Sequence, residues 1–223
     1  MEDLELSDMR VEPCVDSHFI RPSRVAFKQN GCLRVWDYVR EHDDVSVLIL
    51  NVSKQAFVFV KQFRPAVYMD VNRKSHEKAA VDGSEVKILE EDSSLPITAP
   101  ASDGVTYELC SGIVDKNIGL KSLVKQEILE ECGYDVPEDK IRRITSFRNG
   151  IGTVGSLQTL FFVEVEDNMQ VSNGGGNIDE GERIELFYVP VEKLKQFLMD
   201  EKKHKPAELL FAGMWWLDNN RRS

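Results

Sequence analysis

Alternating apolar and polar residues mark out strands early in the chain. Residues 24–27 and 33–39 flank Asn30-Gly31, a dipeptide suited to a two-residue turn because both positions tolerate positive φ, so a β-hairpin is expected. Residues 45–50 and 56–61 read as a second antiparallel pair around 51–55. The pattern then dissolves into charge, Ser and Pro from 70 to 103, which reads as an elaborated loop with at most a short helix near 77–81. Further strands are expected at 105–109, 141–146, 157–165 and 184–189. The period becomes helical after residue 119, where Leu120, Leu123, Val124 and Ile128 share one face, and again at 191–199 and 206–218. The tandem Trp215-Trp216 is expected to pack the last helix onto the core. Strands interspersed with helices indicate an α/β sandwich. Three segments follow: a polar stretch at 1–22, a hairpin region at 23–44, and one domain over 45–223.

The first of these helices carries the chemistry. Glu127, Glu130 and Glu131 fall within five residues, and residues three and four apart on a helix share a face. Crowded carboxylates repel and raise one another's pKa, which a hard divalent cation with oxygen ligands would relieve. A solvated acidic face is the plain alternative. Against it, the apolar stripe anchors the helix to a core, and Gly133 ends it with a C-cap signal.

The run from Gly112 to Tyr134, GIVDKNIGLKSLVKQEILEECGY, resembles the signature of the Nudix hydrolase family. Gly112, Glu127, Ile128, Glu130, Glu131 and Gly133 fall in register without gaps, while Ile118 and Gln126 stand where the signature has a glutamate and an arginine. Losing both opposite charges leaves no orphaned ion. The resemblance implies a Nudix α/β/α sandwich with a mixed sheet. It also implies two or three Mg²⁺ ions (Mn²⁺ as a possible substitute) held by Glu127, Glu130, Glu131 and the Ser111 carbonyl. The implied reaction is hydrolysis of a phosphoanhydride.

Other segments resemble the subgroup that cleaves nucleoside diphosphate sugars and ADP-ribose: Gln62-Phe63-Arg64, Glu108-Leu109-Cys110-Ser111-Gly112, and the loop 173–182, NGGGNIDEGE. Arg64 is either a surface charge or an anion clamp, since a guanidinium grips phosphate at two points. Trp36 is either a core aromatic or a flat platform for a nucleobase. Asp179, Glu180 and Glu182 form a solvated acidic loop or, by the resemblance, supply the acid that activates water, with Glu182 the best match and Glu180 next. Glu108 and Ile113 join Arg64 and Trp36 as implied substrate contacts. UDP-glucose is the implied substrate, with ADP-ribose as the alternative. A catalytically silent nucleotide binder is the rival of another class, and Glu131→Gln separates the two. A homodimer exchanging its N-terminal strands is also implied.

Composition narrows the partners. With 28 Lys and Arg against 38 Asp and Glu, the net charge of −10 argues against a nucleic-acid backbone. Cys14, Cys32, Cys110 and Cys132 form no C-x-x-C pair and no zinc spacing, so free thiols in a reducing compartment are expected. The start, MEDLELSDMR, has no signal-peptide core, and no stretch approaches the roughly 20 apolar residues of a membrane span. Cytoplasmic location and no membrane partner are the expectations.

Overall fold

The computed structural model describes residues 4–12, 14, 17, 20–80 and 97–220, with the side chains of 76–80 and 180 left out. The hairpin forms where Asn30-Gly31 placed it. β1 (Arg21–Gln29) and β2 (Cys32–Arg40) pair antiparallel, with Asn30 at φ 51° and Gly31 at φ 82°. It is a separate two-stranded sheet whose residues are almost all exposed, including Val25, Phe27, Leu33, Val35 and Trp36.

The remaining described strands make one mixed sheet: β3 (Asp44–Asn51), β4 (Ala56–Phe63), β5 (Val105–Glu108), β6 (Cys110–Ile113), β7 (Arg142–Arg148), β8 (Leu157–Val165) and β9 (Glu185–Pro190). The order β5-β4-β3-β8-β7 carries one parallel pairing, β3 with β8, while β6 pairs β3 and β9 pairs β4. One sheet face, including Val45, Val47, Val58 and Val163, packs on Leu123, Val124 and Ile128 of α2 (Leu120–Cys132). The other, including Leu48, Phe57, Phe59 and Phe162, packs on α3 (Leu194–Leu198) and α4 (Ala207–Asn219). Trp216 meets Phe57 edge-on at 4.9 Å and Trp215 lies 5.8 Å from Phe162, so the tandem tryptophans do seat the last helix.

Two expectations fail. The 70–103 segment begins inside a 16-residue helix, α1 (Pro65–Ala80), rather than a loop. Pro65 opens it, where a missing N–H costs nothing. Tyr68 anchors it, burying its ring against Phe63 and donating its hydroxyl to the Ala99 carbonyl at 2.6 Å. The short helix expected near 77–81 is therefore the end of α1 as far as residue 80, and 81–96 lie outside the described residues. Leu120, expected in the buried stripe, is 36% exposed because it begins α2, one turn before the helix reaches the sheet.

Candidate active site

Helix α2 sorts its three glutamates by depth. Glu131 is buried, Glu127 half-buried and Glu130 exposed, as their angular positions around a helix with an apolar stripe require. Glu131 accepts a hydrogen bond from the Ser111 N–H at 3.1 Å, which joins the helix to β6. Gly112 sits where a β carbon would lie 2.3 Å from the Glu127 carboxyl carbon, so its bare backbone is what admits that carboxylate. Burial, with the charges of Glu130 and Glu182, lifts Glu127 to about 7. Burial also lifts Glu131, to about 8, with Glu127 and Glu182 adding to it and the Ser111 N–H opposing it.

The C-terminal end of α2 is completed by a distant segment. Gly175 and Gly176 donate their N–H groups to the carbonyls of Glu131 and Glu130, at 3.0 and 3.3 Å, satisfying acceptors that a helix end leaves open. A β carbon on Gly174, at φ 65°, would lie 2.2 Å from the Glu131 carbonyl. The glycine run therefore docks on the glutamate helix. It brings Glu182 close enough for its charge to act on Glu127, Glu131 and Arg64. Glu182 accepts from the Asn177 N–H at 3.0 Å. Glu180 ends a short 3-10 turn, Ile178–Glu180, and its side chain lies outside the described residues.

Arg64 and Glu108, named separately in the sequence, form a bidentate pair: Nε to Oε1 at 2.8 Å and Nη2 to Oε2 at 2.7 Å. Thr106 and Gln62 also donate to Glu108, at 2.5 and 3.3 Å. That bracing was not foreseen, since it depends on β4–β5 register. Ile113 is 43% exposed at the end of β6. Trp36 is not a core residue: it is 47% exposed and donates its indole N–H to the Gly152 carbonyl at 2.7 Å. It is not brought to the glutamates by any described contact. Ile118 and Gln126 are both exposed, so neither departure leaves a buried charge unpaired. Two surface cavities, one beside Asp139 and Arg142 and one beside Arg24 and Thr153, are lined by none of these residues.

The donor set suits a hard divalent cation. Two carboxylates raised by burial and by neighbouring carboxylates, with a third at the rim, gain most from a positive charge with oxygen preference. Gly112 leaves them the room.

A uridine diphosphate glucose pyrophosphatase, NUDT14 of Bos taurus, is 36% identical over 219 residues, covering 97% of this chain and 95% of the relative. The chain belongs to the Nudix hydrolase family. The Mus musculus NUDT14 of the same description is 34% identical across 91% of this chain and 90% of its own. A GDP-mannose pyrophosphatase of Salmonella arizonae is 30% identical over 66% of this chain and 60% of the relative. Among solved structures, an ADP compounds hydrolase superposes with a TM-score of 0.61, covering 95% of this chain and 94% of its own at 13% identity, which establishes the shared Nudix sandwich. No protein-family model matches the chain.

Proposed function

We propose that the protein hydrolyses the pyrophosphate bond of a nucleoside diphosphate sugar, UDP-glucose giving UMP and glucose 1-phosphate. The observation that carries this is the meeting of Glu127, Glu131, Glu182 and the Arg64–Glu108 pair at one end of α2. Relatives named for UDP-glucose over nearly the whole chain support the substrate.

Glu127, Glu130, Glu131 and the Ser111 carbonyl would hold Mg²⁺. The chemistry supplied there would be charge neutralisation at the diphosphate and a lowered pKa for the attacking water. Arg64, oriented by Glu108, holds the diphosphate oxygens. The pair's geometry fixes the guanidinium before substrate arrives, which limits the entropy lost on binding. Glu182, held by the Asn177 amide, accepts the proton of the water, with Glu180 as the second candidate on the same loop. Ile113 flanks the sugar side of the site, and the exposed Trp36 ring offers a stacking surface for the base.

Residues 45–223 form the catalytic domain in this reading. The hairpin at 23–44, with both faces exposed and apolar side chains on them, is the surface for a homodimer, because a lone two-stranded sheet is marginal in water. The four free thiols support a cytoplasmic setting, and no described helix is long and apolar enough to cross a membrane. The net charge of −10 disfavours a nucleic-acid partner.

The test is product release from UDP-glucose, ADP-ribose, ADP-glucose and GDP-mannose, with Mg²⁺ and with EDTA. Mg²⁺-dependent UMP release faster than the other reactions is the expected result. AMP from ADP-ribose as the fastest product would move the substrate within the subgroup. A folded protein with no turnover on any of them, and with nucleotide affinity unchanged in Glu131→Gln, would replace the enzyme by a silent binder.

A further inference from the structure

Nothing in the spacing of Cys110 and Cys132 relates them, and neither matches a zinc motif. The fold puts them side by side. Cys110 opens β6, Cys132 ends α2, and both are fully buried. Burial, with Cys132 and Glu131 beside it, pushes the Cys110 thiol up. The two sulfurs and a Glu131 carboxylate oxygen all lie within 4.8 Å of one another. In a tetrahedral zinc site, with sulfur at about 2.3 Å and oxygen at about 2.0 Å from the ion, ligand atoms stand roughly 3.5–3.8 Å apart. Closing the trio onto an ion therefore takes a movement of about 1 Å, within the reach of side-chain torsions alone.

We propose that Cys110, Cys132 and Glu131 form a site for a soft divalent cation such as Zn²⁺, and that filling it inhibits the enzyme by taking Glu131 from its role beside Glu127. The inhibitory half rests on the function proposed above; the site itself does not.

Donor chemistry separates this site from the glutamate edge. Two sulfurs and one oxygen select zinc or cobalt over magnesium, which prefers oxygen alone. The Ser111 N–H occupies Oε2 of Glu131, so the other carboxylate oxygen is the one that turns to the ion. Binding releases the protons of the two thiols and of the buried Glu131 carboxyl to solvent as each group donates a lone pair to the metal, and a water completes four ligands. The ion enters from the α2 edge, where Glu127 and Glu130 are less buried than Glu131.

Cobalt(II) reports on such a site directly, because sulfur ligation gives a charge-transfer band that oxygen ligation lacks. The parent for the experiment is the full chain with the two exposed cysteines replaced, Cys14→Ser and Cys32→Ser. One equivalent of Co²⁺ should produce the sulfur band with tetrahedral d–d absorption. Zn²⁺ should bleach it and excess Mg²⁺ should leave it. Adding Cys110→Ala or Cys132→Ala, each checked by thermal melting, should remove it. Stoichiometric Zn²⁺ should lower Mg²⁺-supported turnover about tenfold or more without rescue by excess Mg²⁺, and Cys132→Ala should escape that inhibition. A folded parent with no sulfur band, or a band surviving in both alanine variants, overturns the site. A sulfur band with undiminished turnover under zinc overturns the inhibitory half. An inactive parent overturns that half together with the function it depends on, while the cobalt spectrum still decides the site.

Discussion

Gly112→Ala separates the site's geometry from the fold's stability. The backbone at Gly112 is outside the left-handed region, so an alanine there carries no conformational strain of its own. Its β carbon would lie 2.3 Å from both Cδ and Oε1 of Glu127, where ordinary contact begins near 3.4 Å. The carboxylate must therefore retreat by about 1 Å, and a displacement of that size at a catalytic group costs about 100-fold in rate, equivalent to roughly 2.7 kcal/mol of barrier. The side chain is flexible and only half-buried, so the stability cost should stay near 1 kcal/mol, a fall of roughly 2–4 °C in Tm. Gly119→Ala is the control: its β carbon would meet only the Ser122 hydroxyl, at 3.5 Å. The assay is kcat for UMP release across a Mg²⁺ titration, run beside a melting curve. A variant that keeps kcat within a few-fold of the parent at the same Mg²⁺ demand would show that Glu127 does not act from the position seen here. A collapse in Tm matching the loss of rate would show that Gly112 serves packing instead.

Three further outcomes follow from the same geometry. Asp44 is lifted from 3.8 to about 7 by burial and by Glu208, Glu41 and Asp43, against a hydrogen bond from Asn149; its other oxygen is buried without a partner. The folded state therefore holds a proton that the unfolded state releases, and this group's contribution to stability falls as pH rises from about 4 to 7. Its partial exposure reduces the full linkage value to about 1–2 kcal/mol, so Asp44→Asn should melt higher than the parent at pH 8 with the gap closing towards pH 5; a gap independent of pH refutes the assignment. Glu108→Gln removes the ionic half of the bidentate pair with Arg64 and should raise KM about tenfold, the equivalent of one charged hydrogen bond, while kcat changes less; an unchanged KM would remove Arg64 from substrate binding. Gly174→Ala forces a β carbon into the Glu131 carbonyl at positive φ, against backbone that cannot step aside, and should cost about 2–3 kcal/mol, roughly 5–10 °C in Tm. An unshifted melting curve would mean the glycine loop does not cap α2.

The sequence by itself determined the elements whose cause is local. Asn30-Gly31 turns the hairpin because its two residues accept positive φ, and the 3.6-residue period with Gly133 beyond it builds and ends α2. The glutamate spacing follows from that helix without reference to anything else in the chain. The family resemblance was legible for the same reason, since its signature is a contiguous run from Gly112 to Gly133. What the tertiary structure decided depends on partners far along the chain. Residues 65–80 hide their helix from pattern reading because charged and polar side chains dominate its second half, and Tyr68 holds it by reaching Phe63 and Ala99. Arg64 meets Glu108 through strand register, and the glycine run at 174–176 meets the end of α2, a segment far from it along the chain. Cys110 and Cys132 become neighbours only when β6 lies against that helix. Periodicity says which face of an element is buried, while the identity of what it is buried against is set when the layers close.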